Sequence, residues 1–199
     1  MNNPNARDRI LQAALECFAA KSYEGARMDE IAKTAQIPKS LIYYHFKSKE
    51  EIFNTLINNF VEEYSQIIHQ IDENDTEKSQ RLQERVKTIY YDFGKRNEDL
   101  VRIIFIDCLK KNSNGSAIFK LLDALFSKVA VNTDKQQQRK RMVAEFFTSI
   151  IPSYAYICFG DAFCKYYNLE KEEFNKYYLE AYNLTHGLYH DYIGKGEVK

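Results

Sequence analysis

From Ala35 to Glu50 the chain reads Ala-Gln-Ile-Pro-Lys-Ser-Leu-Ile-Tyr-Tyr-His-Phe-Lys-Ser-Lys-Glu, and here the groups able to recognise another molecule are densest. On a short helix, Lys39, Ser40, Tyr43 and Tyr44 are left outward, with His45 and Lys49 at the trailing end. Ile42 and Phe46, four residues apart, take the inward side. A lysine can reach guanine N7 and O6, and a phenol can touch a thymine methyl or bond a phosphate. The start of the following helix offers backbone N–H groups to a phosphate. The spacing suits a helix that enters a duplex groove. It equally suits half-buried aromatics in an ordinary helical domain. No catalytic constellation accompanies it.

Several elements must position these groups. Ile10, Leu11, Ala14, Leu15 and Phe18 recur at helical spacing, which predicts a first helix over about 7–20. Ser22 to Gly25 breaks it. Asp29 to Ala35 is a short second helix with Ile31, Ala32 and Ala35 inward, and Gln36-Ile37 is the turn after it. Pro38 can stand at the first position of the next helix, where its missing N–H costs nothing. Ser48 with Glu51 three residues on is a capping box for a further helix through Ile52, Phe53, Leu56, Ile57, Phe60 and Tyr64. Two short helices joined by a tight turn and braced by a third form the helix-turn-helix layout.

Beyond an acidic connector, Asp72 to Glu77, helices are expected near 79–94, 98–111, 115–130, 135–166 and 170–193. Pro152 should kink or split the fourth of these. The fold class expected is all-α: an N-terminal three-helix module at 4–64 and a larger helical bundle at 75–195. With 45% hydrophobic residues the 199-residue chain can bury a core, and 7 Gly and 3 Pro are too few for a turn-rich β fold. No stretch reaches the roughly 18 unbroken apolar residues of a membrane span, and no apolar signal core opens the chain. A cytoplasmic protein without a membrane partner is the expectation. Net charge is +0, so a local patch from Arg27, Lys39, Lys47 and Lys49 must supply attraction to a polyanion. Cys17, Cys108, Cys158 and Cys164 form no C-x-x-C pair and read as structural thiols, with a thiol switch as the alternative.

The run from Ile31 to Phe53, IAKTAQIPKSLIYYHFKSKEEIF, resembles the TetR family of bacterial transcriptional regulators. Ile31, Ala32, Ala35, Tyr43, His45, Phe46, Ser48, Lys49 and Glu50 carry the resemblance, which covers roughly residues 4–64. It implies a homodimer on a palindromic double-stranded DNA operator, usually repressing, released by a small molecule. By position it would place Lys39, Ser40, Leu41, Tyr43 and Tyr44 in the major groove. His45 and Lys49 would hold phosphates, and Arg27 or Met28 would touch the DNA backbone. Two departures stand out: Gln36 replaces the usual turn glycine, and Ala26-Arg27 replaces a capping Thr or Ser, leaving Asp29 to cap.

The later half is rich in aromatics. Tyr90, Phe93, Phe105, Phe119, Phe126, Phe147 and Tyr154 are candidates to line an apolar pocket, although most such residues are simply core. Asp107 could meet a cationic lipophilic ligand there or pair with Lys110 or Lys111. Phe159, Phe163, Phe174, Tyr178, Ala181, Thr185 and Leu188 give the last helices more apolar surface than one neighbour covers, which fits the four-helix dimer interface that the resemblance implies. His186 and His190 are four apart, but no third ligand is evident, so neither a metal nor a cofactor is expected. With no glycine-rich phosphate loop, nucleophile elbow or acid–base pair, a regulator is expected rather than an enzyme. A helical ligand-binding or interaction protein without DNA activity is the alternative.

Overall fold

The computed structural model describes residues 5–73, 92–110, 116–126, 134–189 and 192, and among these every regular element is helical. The Asn5 side chain accepts a hydrogen bond from the Asp8 N–H at 2.9 Å and so caps α1 (Ala6–Gly25). Ile10, Ala14 and Phe18 point from α1 into the core. The helix breaks at Ser22, whose φ of 63° and ψ of 166° lie where few side chains are found.

α2 (Met28–Thr34) begins without Asp29 as its cap. Asp29 pairs instead with Lys39 at 2.5 Å, and the Glu30 carboxylate accepts the Arg27 N–H at 3.3 Å. Glu30 is the third helical residue, from which a side chain reaches back to the helix start; Asp29, the second, points away. α3 (Lys39–His45) starts one residue after Pro38, which serves as the flanking cap rather than as the first helical residue. α4 (Lys49–Glu73) is capped as expected at Ser48, whose Oγ accepts the Glu51 N–H at 3.1 Å. The Glu51 carboxylate reaches one residue further back than a capping box requires, to the Lys47 N–H at 2.7 Å. α4 passes without a break through residue 64, so the N-terminal module (the head) and the bundle that follows (the body) share this helix.

The body holds α5 (Glu98–Cys108), α6 (Ser116–Phe126), α7 (Lys135–Glu145), α8 (Ile151–Tyr167) and α9 (Lys171–Tyr182), with one helical turn, Gly94–Arg96, ahead of α5. The helix expected over 79–94 lies outside the described residues except for its end. Head and body have one continuous core. α1 packs along α5, α4 along α6, and α8 along α5 and α9. Ile104, Ile118 and Leu121 are sealed in the body as Ile31, Ile42 and Phe46 are in the head. Truncating one such phenylalanine to alanine costs about 3–5 kcal/mol.

Pro152 does not split its helix. The turn before it, Phe146–Ile150, widens into a π-helix and the chain continues helical into α8. Proline lacks an N–H and its ring clashes with the carbonyl four residues back, here that of Thr148, and a widened turn relieves both. A second π-helical turn, Asn183–Gly187, packs against the first. Between them His186 is fully buried, with Nδ1 3.0 Å from the Thr148 hydroxyl and Nε2 3.8 Å from Glu145. The whole run Lys135–Tyr167 is long and apolar enough by composition to cross a membrane. Its inner face instead carries Ile150, Tyr154 and Cys158 into the core.

Candidate nucleic-acid interface

The outward face of α3 is held in place from behind. Ile42 and Phe46 are sealed beneath it, and the Arg7 guanidinium lies 5.2 Å from the centre of the Phe46 ring. Tyr44 is 81% exposed and Tyr43 48%, large for aromatic rings with no covering element. Ser40 is exposed as well, while Leu41 and His45 are half-buried. Lys39 is exposed and held by Asp29, whose hydrogen bond pushes the ammonium pKa up. Arg27 is exposed and Met28 is half-buried against the core. One surface therefore brings together Lys39, Ser40, Tyr43 and Tyr44.

Lys49 is placed differently. Its ammonium donates to the carbonyl oxygens of Tyr23 at 2.6 Å, Glu24 at 3.2 Å and Ala26 at 3.0 Å, and lies 4.5 Å from the centre of the Tyr23 ring. Those carbonyls face no helical partner because α1 ends there. An ammonium has three N–H donors, and here each has an acceptor. Lys49 thus ties the start of α4 to the end of α1, and Arg27 and Lys47 remain as exposed cations on this side.

The turn between α2 and α3 keeps left-handed geometry without glycine. Gln36 has φ of 53°. Its N–H donates to the Lys33 carbonyl and the Ile37 N–H to the Ala32 carbonyl, both at 3.1 Å, which closes a Schellman motif. Arg9 secures the turn from α1 by donating to the Ala35 carbonyl at 2.5 Å and the Gln36 carbonyl at 3.0 Å. Sequence reasoning missed Arg9 because backbone carbonyls leave no signature in side-chain spacing.

In the body, Phe93 and Tyr154 line a narrow apolar cavity of about 20 Å³ together with Phe60, Tyr64 and Ile150. Burial pushes the Tyr154 phenol well above its ordinary pKa, and its oxygen has no hydrogen-bond partner among the described residues. Phe126 is buried and Phe105 half-buried against Tyr154 at 6.1 Å, while Phe119 and Phe147 are largely exposed beside Phe146. Asp107 pairs with Lys110 at 3.3 Å, and Tyr90 lies outside the described residues.

Of the outer-face candidates, Phe159, Phe163, Ala181, Thr185 and Leu188 are exposed. Phe174 and Tyr178 turn inward onto Tyr156, at 5.5 and 4.6 Å between ring centres. Leu184, 69% exposed, flanks this outward set. Burial raises the thiol pKa of Cys108 and Cys158, which disfavours the reactive thiolate. No group of three His, Cys, Asp or Glu side chains is placed to hold a metal among the described residues, and His190 lies outside them.

Residues 10–56 match the profile of a family described as bacterial regulatory proteins, tetR family. The transcriptional activator FasR of Mycolicibacterium smegmatis is 29% identical over 143 residues, which cover 69% of this chain and 65% of FasR. IcaR of Staphylococcus epidermidis, a negative transcriptional regulator of a biofilm operon, is 38% identical over 53 residues, covering 27% of this chain and 29% of IcaR. The chain thus spans less than two thirds of either relative. Among solved structures, FadR of Bacillus subtilis in complex with stearoyl-CoA superimposes with a TM-score of 0.63 at 17% identity, covering 89% of this chain and 96% of FadR. A TetR-like regulator from Rhodococcus gives 0.60 at 17% identity, covering 91% and 96%. At such identities the likeness concerns the fold alone.

Proposed function

We propose that this chain, which belongs through residues 10–56 to the tetR family of bacterial regulatory proteins, is a homodimeric transcriptional regulator of the cytoplasm, acting as a repressor. It binds a palindromic operator and is released by a small, largely apolar effector. The observation that carries this reading is the exposure of Tyr43 and Tyr44 beside Lys39 and Ser40, on a short helix locked from behind by Ile42 and Phe46. A rigid helix with large polar-tipped side chains outward fits a major groove. Tyr43, Tyr44, Lys39, Ser40 and Leu41 read bases in this account, and His45, Arg27 and Met28 meet the DNA backbone. Lys49 acts by positioning α4.

A dimer would bury the outward apolar residues of α8, α9 and the turn that follows, and would set two α3 helices about one helical turn of DNA apart. The cavity beside Tyr154 is apolar apart from a few hydroxyls but at about 20 Å³ holds no more than a water, so an apolar effector would enter only as the bundle opens around it. Its occupancy would favour a dimer geometry in which the reading helices no longer match both half-sites.

Genomic-fragment selection with purified protein, followed by fluorescence anisotropy at several salt concentrations, tests the proposal. Enrichment of an inverted repeat and a linear fall of log K with log salt are expected. Failure to enrich any sequence, or affinity indifferent to salt, would leave a helical binding protein without a DNA role.

A further inference from the structure

We propose that the cleft between head and body is a binding site for a small ammonium ligand carrying one aromatic ring. The cleft lies between the end of α1 and the outer face of α5, away from the cavity beside Tyr154, and measures about 140 Å³. A dry cavity of about 150 Å³ accepts benzene, so one ring fits. Phe18, Tyr23, Ile103 and Ile106 supply apolar walls, and Asp99, Arg102 and Lys110 supply charge.

The charges select the ligand. Arg102 is committed to Glu98, with Nε at 3.1 Å and Nη2 at 2.8 Å from Oε1. Lys110 is committed to Glu24 at 2.6 Å and Asp107 at 3.3 Å. Asp99 is exposed at the rim and is in no ion pair among the described residues. The uncommitted charge is therefore a carboxylate. The field agrees: the Tyr23 phenol has a raised pKa, first through burial and then through Glu50, Glu24 and Asp107, with Lys110 opposing. An ammonium at Asp99 with its ring between Tyr23 and Ile106 satisfies both features. Such a ligand touches α1 and α5 at once and fixes the head against the body. Nothing in this inference requires DNA binding, so the two stand or fall separately.

The probe is 2-phenylethylamine, cationic at neutral pH, with 3-phenylpropionate as its anionic counterpart. Saturation-transfer NMR on the full-length protein should show millimolar binding of the amine and none of the acid. Asp99→Asn should weaken the amine about fivefold, the scale of one exposed ion pair. Ile106→Trp, or Ala19→Leu from the facing wall if the first variant melts early, should abolish binding by filling the cleft. Tyr154→Phe should change nothing. A silent wild type, binding that survives both filling variants, equal binding of the acid, or loss on Tyr154→Phe would each overturn the assignment.

Discussion

The Lys49 ammonium lies 2.6 Å from the Tyr23 carbonyl oxygen and 4.5 Å from the centre of that residue's ring, so one side chain caps a broken helix and stacks on its aromatic neighbour. Replacing it by methionine keeps the apolar stem and strands three carbonyls. Hydrogen bonds to charged groups contribute about 1.5–3 kcal/mol each, with partial compensation by water at this half-buried site. Lys49→Met should lower stability by about 2–3 kcal/mol, read as a shift in the urea midpoint with unchanged slope. An unchanged midpoint would mean that the carbonyls are satisfied by solvent.

Ser22 and Gln36 hold positive φ, at 63° and 53°. Glycine adopts both without a Cβ clash. Ser22→Gly gives up the Ser22 Oγ that accepts the Gly25 N–H at 3.5 Å, so its gain is offset, whereas Gln36→Gly should stabilise by about 0.5–1 kcal/mol. Arg9 binds the Gln36 backbone rather than its side chain, so the second variant keeps that contact. A thermal melt that falls on Gln36→Gly would refute the strain there.

Tyr44 buries almost nothing in the isolated chain and Tyr43 about half of itself. Tyr44→Ala should leave the melting temperature unchanged and weaken operator binding about tenfold, the effect of one lost base or phosphate contact of about 1–2 kcal/mol. Anisotropy with the selected operator measures it. Affinity equal to wild type would remove Tyr44 from the interface.

Glu24 has a pKa below its ordinary 4.5, chiefly through the hydrogen bond from Lys110, and Glu98 and Asp161 are lowered by Lys95 and Lys171. A carboxylate depressed in the folded state stabilises fully above its unfolded value. That stability disappears as pH falls through the depressed folded value. Unfolding free energy should therefore decline below about pH 4.5, and Glu24→Gln should decline less steeply. These are exposed pairs, so each contributes under about 1 kcal/mol. Parallel acid limbs for variant and wild type would exclude the Glu24–Lys110 contribution.

Phe163 at 46% and Leu184 at 69% exposure stand on the outward face of the last two helices. Phe163→Glu with Leu184→Glu should convert a dimer to a monomer in sedimentation velocity, because charge on a buried apolar face is strongly unfavourable. A double variant that still sediments as a dimer would place the interface elsewhere.

The head was largely legible in the sequence. Ile42 and Phe46 are buried four apart, Ser48 caps α4, and Tyr43 and Tyr44 face out, because spacing on a helix determines direction once the inner face is known. Lys49 was not legible, since in sequence a lysine clamped on carbonyls looks the same as one free to meet a phosphate. Its partners lie 23 to 26 residues earlier and are backbone atoms. In the body, Phe174 and Tyr178 look like surface aromatics until Tyr156 is seen to stack against them. Periodicity also misleads across 146–150, where the helical repeat changes.

The two π-helical turns, Phe146–Ile150 and Asn183–Gly187, have a consequence for how this chain tolerates insertion and loss. Each carries one residue more than an α-helical turn would, so the extra residue is absorbed locally and the helix beyond keeps its phase. The turns face each other across the His186–Thr148 contact, so tightening either one to an α-helical turn would disturb that pair. The two wide turns are therefore coupled: loss of the extra residue from either should cost the buried His186 its contact with the Thr148 hydroxyl while leaving the helix ends in phase.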